Sequence, residues 1–146
     1  MQTDEFVVAA GRFIRFVDDS DALAREAFVR EIQPIVLDVY AAGIVLEHDY
    51  SGDELEPSER MTADEWWSLY RRLQRQLGNF DSIVDGSLSD DIADIYRDLI
   101  AGFVPFDSGD VGEAVWEWRF GFDSHWGRHA AHAVYALHVL RSEYLS

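Results

Sequence analysis

Two neighbouring segments in the C-terminal half decide the fold and carry most of the suggestive polar residues. Residues 87–99 read SLSDDIADIYRDL, and residues 116–140 read WEWRFGFDSHWGRHAAHAVYALHVL. In both segments apolar side chains recur at intervals of three and four, the period of one face of an α-helix. The segments therefore predict two amphipathic helices. Because the chain between them is short, we expect the two helices to be neighbours.

The first of these helices carries Asp91, Asp94 and Asp98 at positions i, i+3 and i+7. At about 100° of rotation per residue, the three carboxylates flank the apolar stripe or point away from it. This arrangement favours a solvated acidic face that is loosely paired with Arg97. Like charges on adjacent turns destabilise a helix, so a compensating partner is also expected. The partners that the sequence offers, besides a metal ion, are Arg119, Arg128 and the histidines.

The second helix carries His125, His129 and His132 at positions i, i+4 and i+7. His129 falls near the middle of the apolar stripe, and the other two fall at its edge. Histidines four residues apart can present two ligands to one metal ion. We favour the alternative that they are core-edge histidines bonded to carboxylates or backbone carbonyls. Buried polar groups need such partners whether or not they have a function.

The same helix pair contains an arginine and three tryptophans, for which the sequence predicts specific contacts. Arg119 is expected to bind a carboxylate of the aspartate-bearing helix, because that helix carries excess negative charge and the guanidinium fork suits carboxylates. Trp116, Trp118 and Trp126 are expected to be core residues rather than the lining of a ligand pocket. Trp126 and His129 should be largely buried. The candidate polar site consists of Asp91, Asp94, Asp98, Arg119, His125 and His129.

Further helices are predicted before this pair. Apolar periodicity favours one helix over residues 3–18 and a second helical region from Ser20 to about residue 47. A proline inside a helix removes a hydrogen bond and clashes with the preceding turn, so this region is either one long helix kinked at Pro34 or two helices that meet there. We favour the break. Residues 48–61 are predicted to form a loop, because they combine glycine, proline and many acids.

Two capping boxes mark the starts of later helices. Thr62 and Glu65 have the Thr-x-x-Glu spacing, and Ser87 and Asp90 repeat it with aspartate in place of glutamate. The last helical region, residues 113–145, is so long that we expect a bend or break within it near its two central glycines. The fold prediction is therefore all-α: an antiparallel bundle of five to seven helices that forms a single domain over the whole chain.

Composition excludes several classes of protein. A net charge of −16 argues against a basic nucleic-acid-binding face. The chain has no cysteine, which excludes disulfides and thiolate metal sites and fits a reducing, cytoplasmic location. The acidic N-terminus does not have the pattern of a signal peptide. The longest apolar run, residues 39–46, is far shorter than the ~18 residues of a membrane span, so no membrane association is expected.

The two C-terminal segments also resemble a family. DDIADIYRDL followed by WEWRFGFDSHWGRHA is similar to small bacterial proteins grouped as domain of unknown function 5063, with the resemblance extending over about residues 87–140. The residues that carry it are Asp90, Asp91, Asp94, Tyr96, Arg97, Asp98, Trp116, Trp118, Arg119, Phe120, His125, Trp126, Gly127 and His129. The resemblance implies a helical domain and assigns no activity.

Three functional hypotheses follow. The favoured one is a small helical binding or interaction domain with an internal Asp/Arg/His network. The sequence does not identify its partner, and a protein is one candidate. The alternative is a metal-binding protein or metal-dependent hydrolase, in which His125 and His129 join Asp91 or Asp94 around a divalent ion. The third, an acidic mimic of nucleic acid, is least favoured because the acids are spread along the chain. The sequence does not decide whether the protein is an enzyme.

Overall fold

A computed structural model of the chain describes residues 2–48 and 60–145. The described part is all-α. Its helices are α1 (Gln2–Asp19), α2 (Arg25–Ile44), α3 (Ala63–Leu77), α4 (Leu88–Asp107), α5 (Val111–Gly121) and α6 (Gly127–Glu143), with short 3-10 turns at Ser20–Ala22 and Gly78–Ser82. The predicted loop over residues 48–61 falls mostly on residues 49–59, outside the described residues.

Helices α5 and α6 form one continuous rod, because a π-helical turn, Phe122–Trp126, joins them. Gly121 and Gly127, on either side of that turn, both keep helical backbone angles. The bend or break expected here is thus a local widening of the helix. With α5 and α6 taken as one rod, the described residues contain five helices, and the predicted all-α bundle of five to seven helices is confirmed.

The break predicted at Pro34 is wrong. Helix α2 runs through this proline without interruption. Pro34 lies on the exposed side of α2, so its ring faces solvent and not the core. On the opposite side Ile32, Val36 and Val39 are fully buried. Their burial holds the helix together across the proline.

The capping predictions are confirmed in their main part. The Thr62 hydroxyl accepts a hydrogen bond from the Glu65 N–H at 3.1 Å, and the Thr62 N–H donates to the Glu65 carboxylate at 3.1 Å. The Ser87 hydroxyl accepts from the Asp90 N–H at 3.2 Å. At the start of α4, the Asp81 carboxylate also accepts a hydrogen bond from the Ser89 N–H at 2.6 Å. The start of α4 is therefore anchored to the preceding turn.

Two tryptophans organise the core around α4 and the α5–α6 rod. Trp118 and Trp126 are fully buried, as predicted. The indole N–H of Trp118 donates to the Leu99 carbonyl, and that of Trp126 donates to the Trp118 carbonyl, each at 2.9 Å. Trp118 lies directly against Gly102 of α4, where a side chain would collide with the indole ring. Helices α4 and α5 can approach closely for this reason. None of the helices in the described ranges is long and apolar enough to cross a membrane.

Candidate functional site: an Asp–His ladder between two helices

Helix α4 and the α5–α6 rod bring the aspartate row and the histidine row face to face. His129 lies between two carboxylates: its Nδ1 is 2.9 Å from Asp91 Oδ1, and its Nε2 is 3.0 Å from Asp94 Oδ2. His125 repeats the arrangement one turn earlier, with Nδ1 2.6 Å from Asp98 Oδ2 and Nε2 3.6 Å from Asp94 Oδ2. Both imidazoles therefore direct Nε2 towards the same oxygen of Asp94.

A third histidine extends the row. His132 Nδ1 lies 2.5 Å from Asp91 Oδ2, and its Nε2 lies 2.6 Å from the Asp85 carbonyl oxygen. Gly86 makes room for this ring, because a Cβ at that position would lie 3.1 Å from His132 Cε1, and its φ of +103° suits glycine. The spacing of the histidines singles out His132, but the predicted site omits it.

The contacts form a ladder in which carboxylates and imidazoles alternate. The order is Asp98, His125, Asp94, His129, Asp91, His132 and the Asp85 carbonyl. Asp91 and Asp94 are only 5% and 7% exposed, so the solvated acidic face predicted for them is wrong. The reason is that α4 packs against α1, α3, α5 and α6, so that side chains off its main apolar stripe are covered as well. The partner expected for the charges is supplied by the histidines.

Two more side chains surround Asp94. The indole N–H of Trp66, on α3, donates to Asp94 Oδ1 at 3.0 Å. Arg97 contacts the same oxygen at 3.0 Å and lies 3.6 Å from Asp98 Oδ1, which confirms the expected pairing of Arg97 with these acids. Both Asp94 oxygens therefore have defined partners. The contribution of Trp66 had no signal in the sequence, since α3 is distant along the chain.

Arg119 does not belong to this ladder, and its predicted contact with a carboxylate of α4 is wrong. Its guanidinium donates to the carbonyls of Gly43 at 3.0 Å and Ile44 at 2.5 Å, at the end of α2, and to Asp123 at 3.1 Å. Trp118 faces α4, and the next residue points about 100° away from it. The last carbonyls of α2 have no intrahelical donor, so an arginine is a suitable cap for them.

The electrostatics of the ladder favour a protonated His129 when no metal is bound. Hydrogen bonds to Asp91 and then Asp94 raise the pKa of His129 to about 10, although partial burial opposes this. Bonding to Asp91 likewise raises the pKa of His132. Burial alone would raise the pKa of Asp94, but its contacts with His129 and Arg97 outweigh burial and lower it. Since carboxylate oxygens only accept hydrogen bonds, His129 can donate to both neighbours only as an imidazolium.

The same atoms are suitably placed to hold a metal ion. One ligand atom from each of Asp94, His125 and His129 lies within 4.8 Å of the other two, and the same holds for Asp90, Asp91 and His129. Ligands at about 2.1 Å from one metal lie about 3.0–3.4 Å from each other. The two Nε2 to Asp94 distances, 3.0 and 3.6 Å, are close to that range. The first group is therefore the better candidate.

A cavity of about 500 Å³ adjoins the ladder. Its lining is Arg60, Met61, Thr62, Ala63, Trp66, Arg97, Asp98, Ala101, Trp116, Glu117, Phe120, Gly121, Ser124 and His125. Trp116 is only half-buried and stacks on Phe120, with ring centroids 5.1 Å apart. The prediction that all three tryptophans of this region are core residues is therefore wrong for Trp116.

Comparison with known proteins supports the fold and identifies the family. The crystal structure of protein BF1032 from Bacteroides fragilis is similar to this chain with a TM-score of 0.88 at 22% sequence identity, covering 100% of this chain and 94% of that one. This likeness shows a shared fold. No curated protein matches the chain. The sequence profile of the family described as domain of unknown function (DUF5063) matches residues 1–143, well beyond the C-terminal segments that first suggested it. The chain belongs to this family.

Proposed function

We propose that this protein binds a divalent transition-metal ion through Asp94, His125 and His129. Two imidazoles and one carboxylate are a ligand set typical of zinc and non-haem iron. Sites for magnesium or calcium are instead built from oxygen ligands. The proposal reverses the preference drawn from the sequence, which rested on aspartates lying away from the packed face.

One observation carries the proposal: both Nε2 atoms converge on one Asp94 oxygen, while each Nδ1 is held by a different carboxylate. Asp98 accepts from His125 Nδ1 at 2.6 Å, and Asp91 accepts from His129 Nδ1 at 2.9 Å. Metal-ligating histidines characteristically donate their second N–H to a carboxylate, which fixes the tautomer and makes the ligating nitrogen more basic. Asp91 and Asp98 would thus orient the ligands without binding the ion.

Three protein ligands leave coordination positions for water or a substrate. A metal-bound water is the nucleophile of metal-dependent hydrolases, so this centre retains the hydrolase hypothesis as one use of the bound ion. The open positions would be reached from the cavity, whose wall includes His125.

The second candidate is a binding or interaction domain in which the ladder only stabilises the fold. The contacts of His129 with two acceptor-only carboxylates and its raised pKa favour this metal-free state. The two candidates differ in one respect. In the first a metal displaces the proton of His129, and in the second added metal has no effect.

The experiment is a zinc, manganese and iron(II) titration by calorimetry and thermal melting, using protein purified without a metal-affinity tag and stripped with chelator. We expect binding to wild type and its loss in His125→Ala/His129→Ala. His138→Ala is the matched control, since this exposed histidine lies on α6 outside the ladder. Binding that survives in the double variant, or no binding to wild type, would reject the site.

Partner and location remain part of the proposal. The lack of cysteine supports a reducing, cytoplasmic environment. The net charge of −16 supports the absence of nucleic-acid binding. A protein partner is consistent with either candidate function and is tested by affinity capture with wild type against the double variant.

A further inference from the structure

The cavity and the ladder share a wall, and their contact is direct. Asp94 has polar contacts with Trp66, Arg97, His125 and His129. The first three of these also line the cavity. A ligand in the cavity would therefore lie one side chain away from the centre of the ladder.

Several of the side chains that line the cavity are aromatic or apolar. Trp66, Trp116 and Phe120 give it aromatic surfaces, and Ala101 and Met61 add further apolar area. Its volume of about 500 Å³ is within the range of small-molecule sites, roughly 300–1,000 Å³. Such surfaces suit a flat ring, because ring stacking adds to the gain from burying apolar area.

Charge in the cavity is balanced between basic and acidic side chains. Arg60 and Arg97 are matched in number by Asp98 and Glu117. An added divalent ion would therefore make the ladder end of the cavity the preferred position for an anionic oxygen. Oxygen donors are also natural ligands for the open positions of a three-ligand metal site.

We propose that the cavity binds a small aromatic molecule bearing a chelating oxygen group, its ring between the aromatic walls and its oxygens on a metal held by Asp94, His125 and His129. This inference rests on the proposed metal function. It adds the chemical class of the ligand.

Two probes distinguish the contribution of the ring to binding from that of the chelating group. Benzohydroxamate and acetohydroxamate carry the same donor, and only the first carries a ring. By calorimetry on zinc-loaded protein we expect benzohydroxamate to bind at least tenfold more tightly than acetohydroxamate. Benzohydroxamate should also bind at least tenfold more weakly to metal-free protein.

Variants of the cavity test its location. Ala101→Trp fills the cavity and should abolish benzohydroxamate binding, whereas zinc affinity stays within threefold of wild type. Trp116→Ala should reduce the preference for benzohydroxamate over acetohydroxamate to less than threefold, which provides a second test if the larger residue disturbs folding. His138→Ala should behave as wild type.

The failures can be told apart. If zinc binds but the two hydroxamates bind equally, or benzohydroxamate binds independently of zinc, the ligand inference is overturned and the metal function stands. If zinc does not bind at the ladder, both are overturned.

Discussion

The metal-free ladder should make the stability of this protein fall as the pH rises above neutrality. The pKa of His129 is raised to about 10 in the folded protein, against about 6.5 in an unfolded chain. A group whose pKa is raised by folding contributes its full stabilisation below the unfolded pKa and loses it as pH rises through the folded pKa. The window for this loss therefore runs from about pH 6.5 to about pH 10.

The contribution of His129 to stability can be calculated from the same pKa shift. At pH 7 the folded pKa lies about three units above the solution pH, and each unit corresponds to about 1.4 kcal/mol. His129 would thus contribute at most about 4 kcal/mol at pH 7 and little at pH 10. Its side chain is 22% exposed, so screening by solvent and salt lowers this upper bound. The raised pKa of His132 acts in the same direction.

Urea unfolding between pH 7 and pH 9.5 in the presence of chelator measures the effect. The sequence has no lysine, so few other side chains titrate in this interval. We expect His129 alone to lower the free energy of unfolding by up to about 1.4 kcal/mol per pH unit. His129→Gln should have a flatter profile, and His138→Ala should follow wild type. A wild-type profile as flat as that of His129→Gln would refute the assignment of a proton to both nitrogens of His129.

The remaining predictions concern metal binding and packing. A hundredfold excess of zinc over its Kd should stabilise the protein by about 2.7 kcal/mol, or about 5–10 °C in Tm for a chain of this size, with no rise in His125→Ala/His129→Ala. Zinc affinity should weaken as pH falls, because the ligating imidazoles must lose their protons, and calorimetry in buffers of different ionisation enthalpy would detect the released protons. Trp126→Ala should destabilise the fold by about 3–5 kcal/mol, and a loss below 1 kcal/mol in a denaturant melt would contradict its place in the core. Arg119→Ala should cost about 1–3 kcal/mol by leaving carbonyls of α2 without a donor, and an unchanged melt would show that water replaces the guanidinium.

Much of the fold could be predicted from local patterns. The apolar period of three to four residues, the capping residues Thr62 and Ser87 and the glycine-containing breaks identify the helices, because these signals act within a few residues along the chain. Pro34 shows the limit of such signals. Its local effect favours a break, but the buried side chains around it keep the helix intact.

Five of the six predicted site residues lie in the ladder, but Arg119 does not, and the geometry that joins the five could not be predicted. The spacing of Asp91, Asp94 and Asp98 and that of the histidines each place three side chains along one line of a helix. The spacing, however, gives only the angle between a side chain and the apolar stripe of its own helix. It does not say which other helix covers the neighbouring face, and so it does not distinguish a solvated row from a buried one.

The sequence by itself determined the helices and two rows of complementary side chains with matching spacing. Only the tertiary structure decided that the rows face each other. In that structure Arg119 binds the end of α2 instead of α4, and Trp66 of α3 binds Asp94. The physical reason is that backbone hydrogen bonding and side-chain periodicity are local, whereas the packing of one helix against another depends on contacts between residues far apart in the chain.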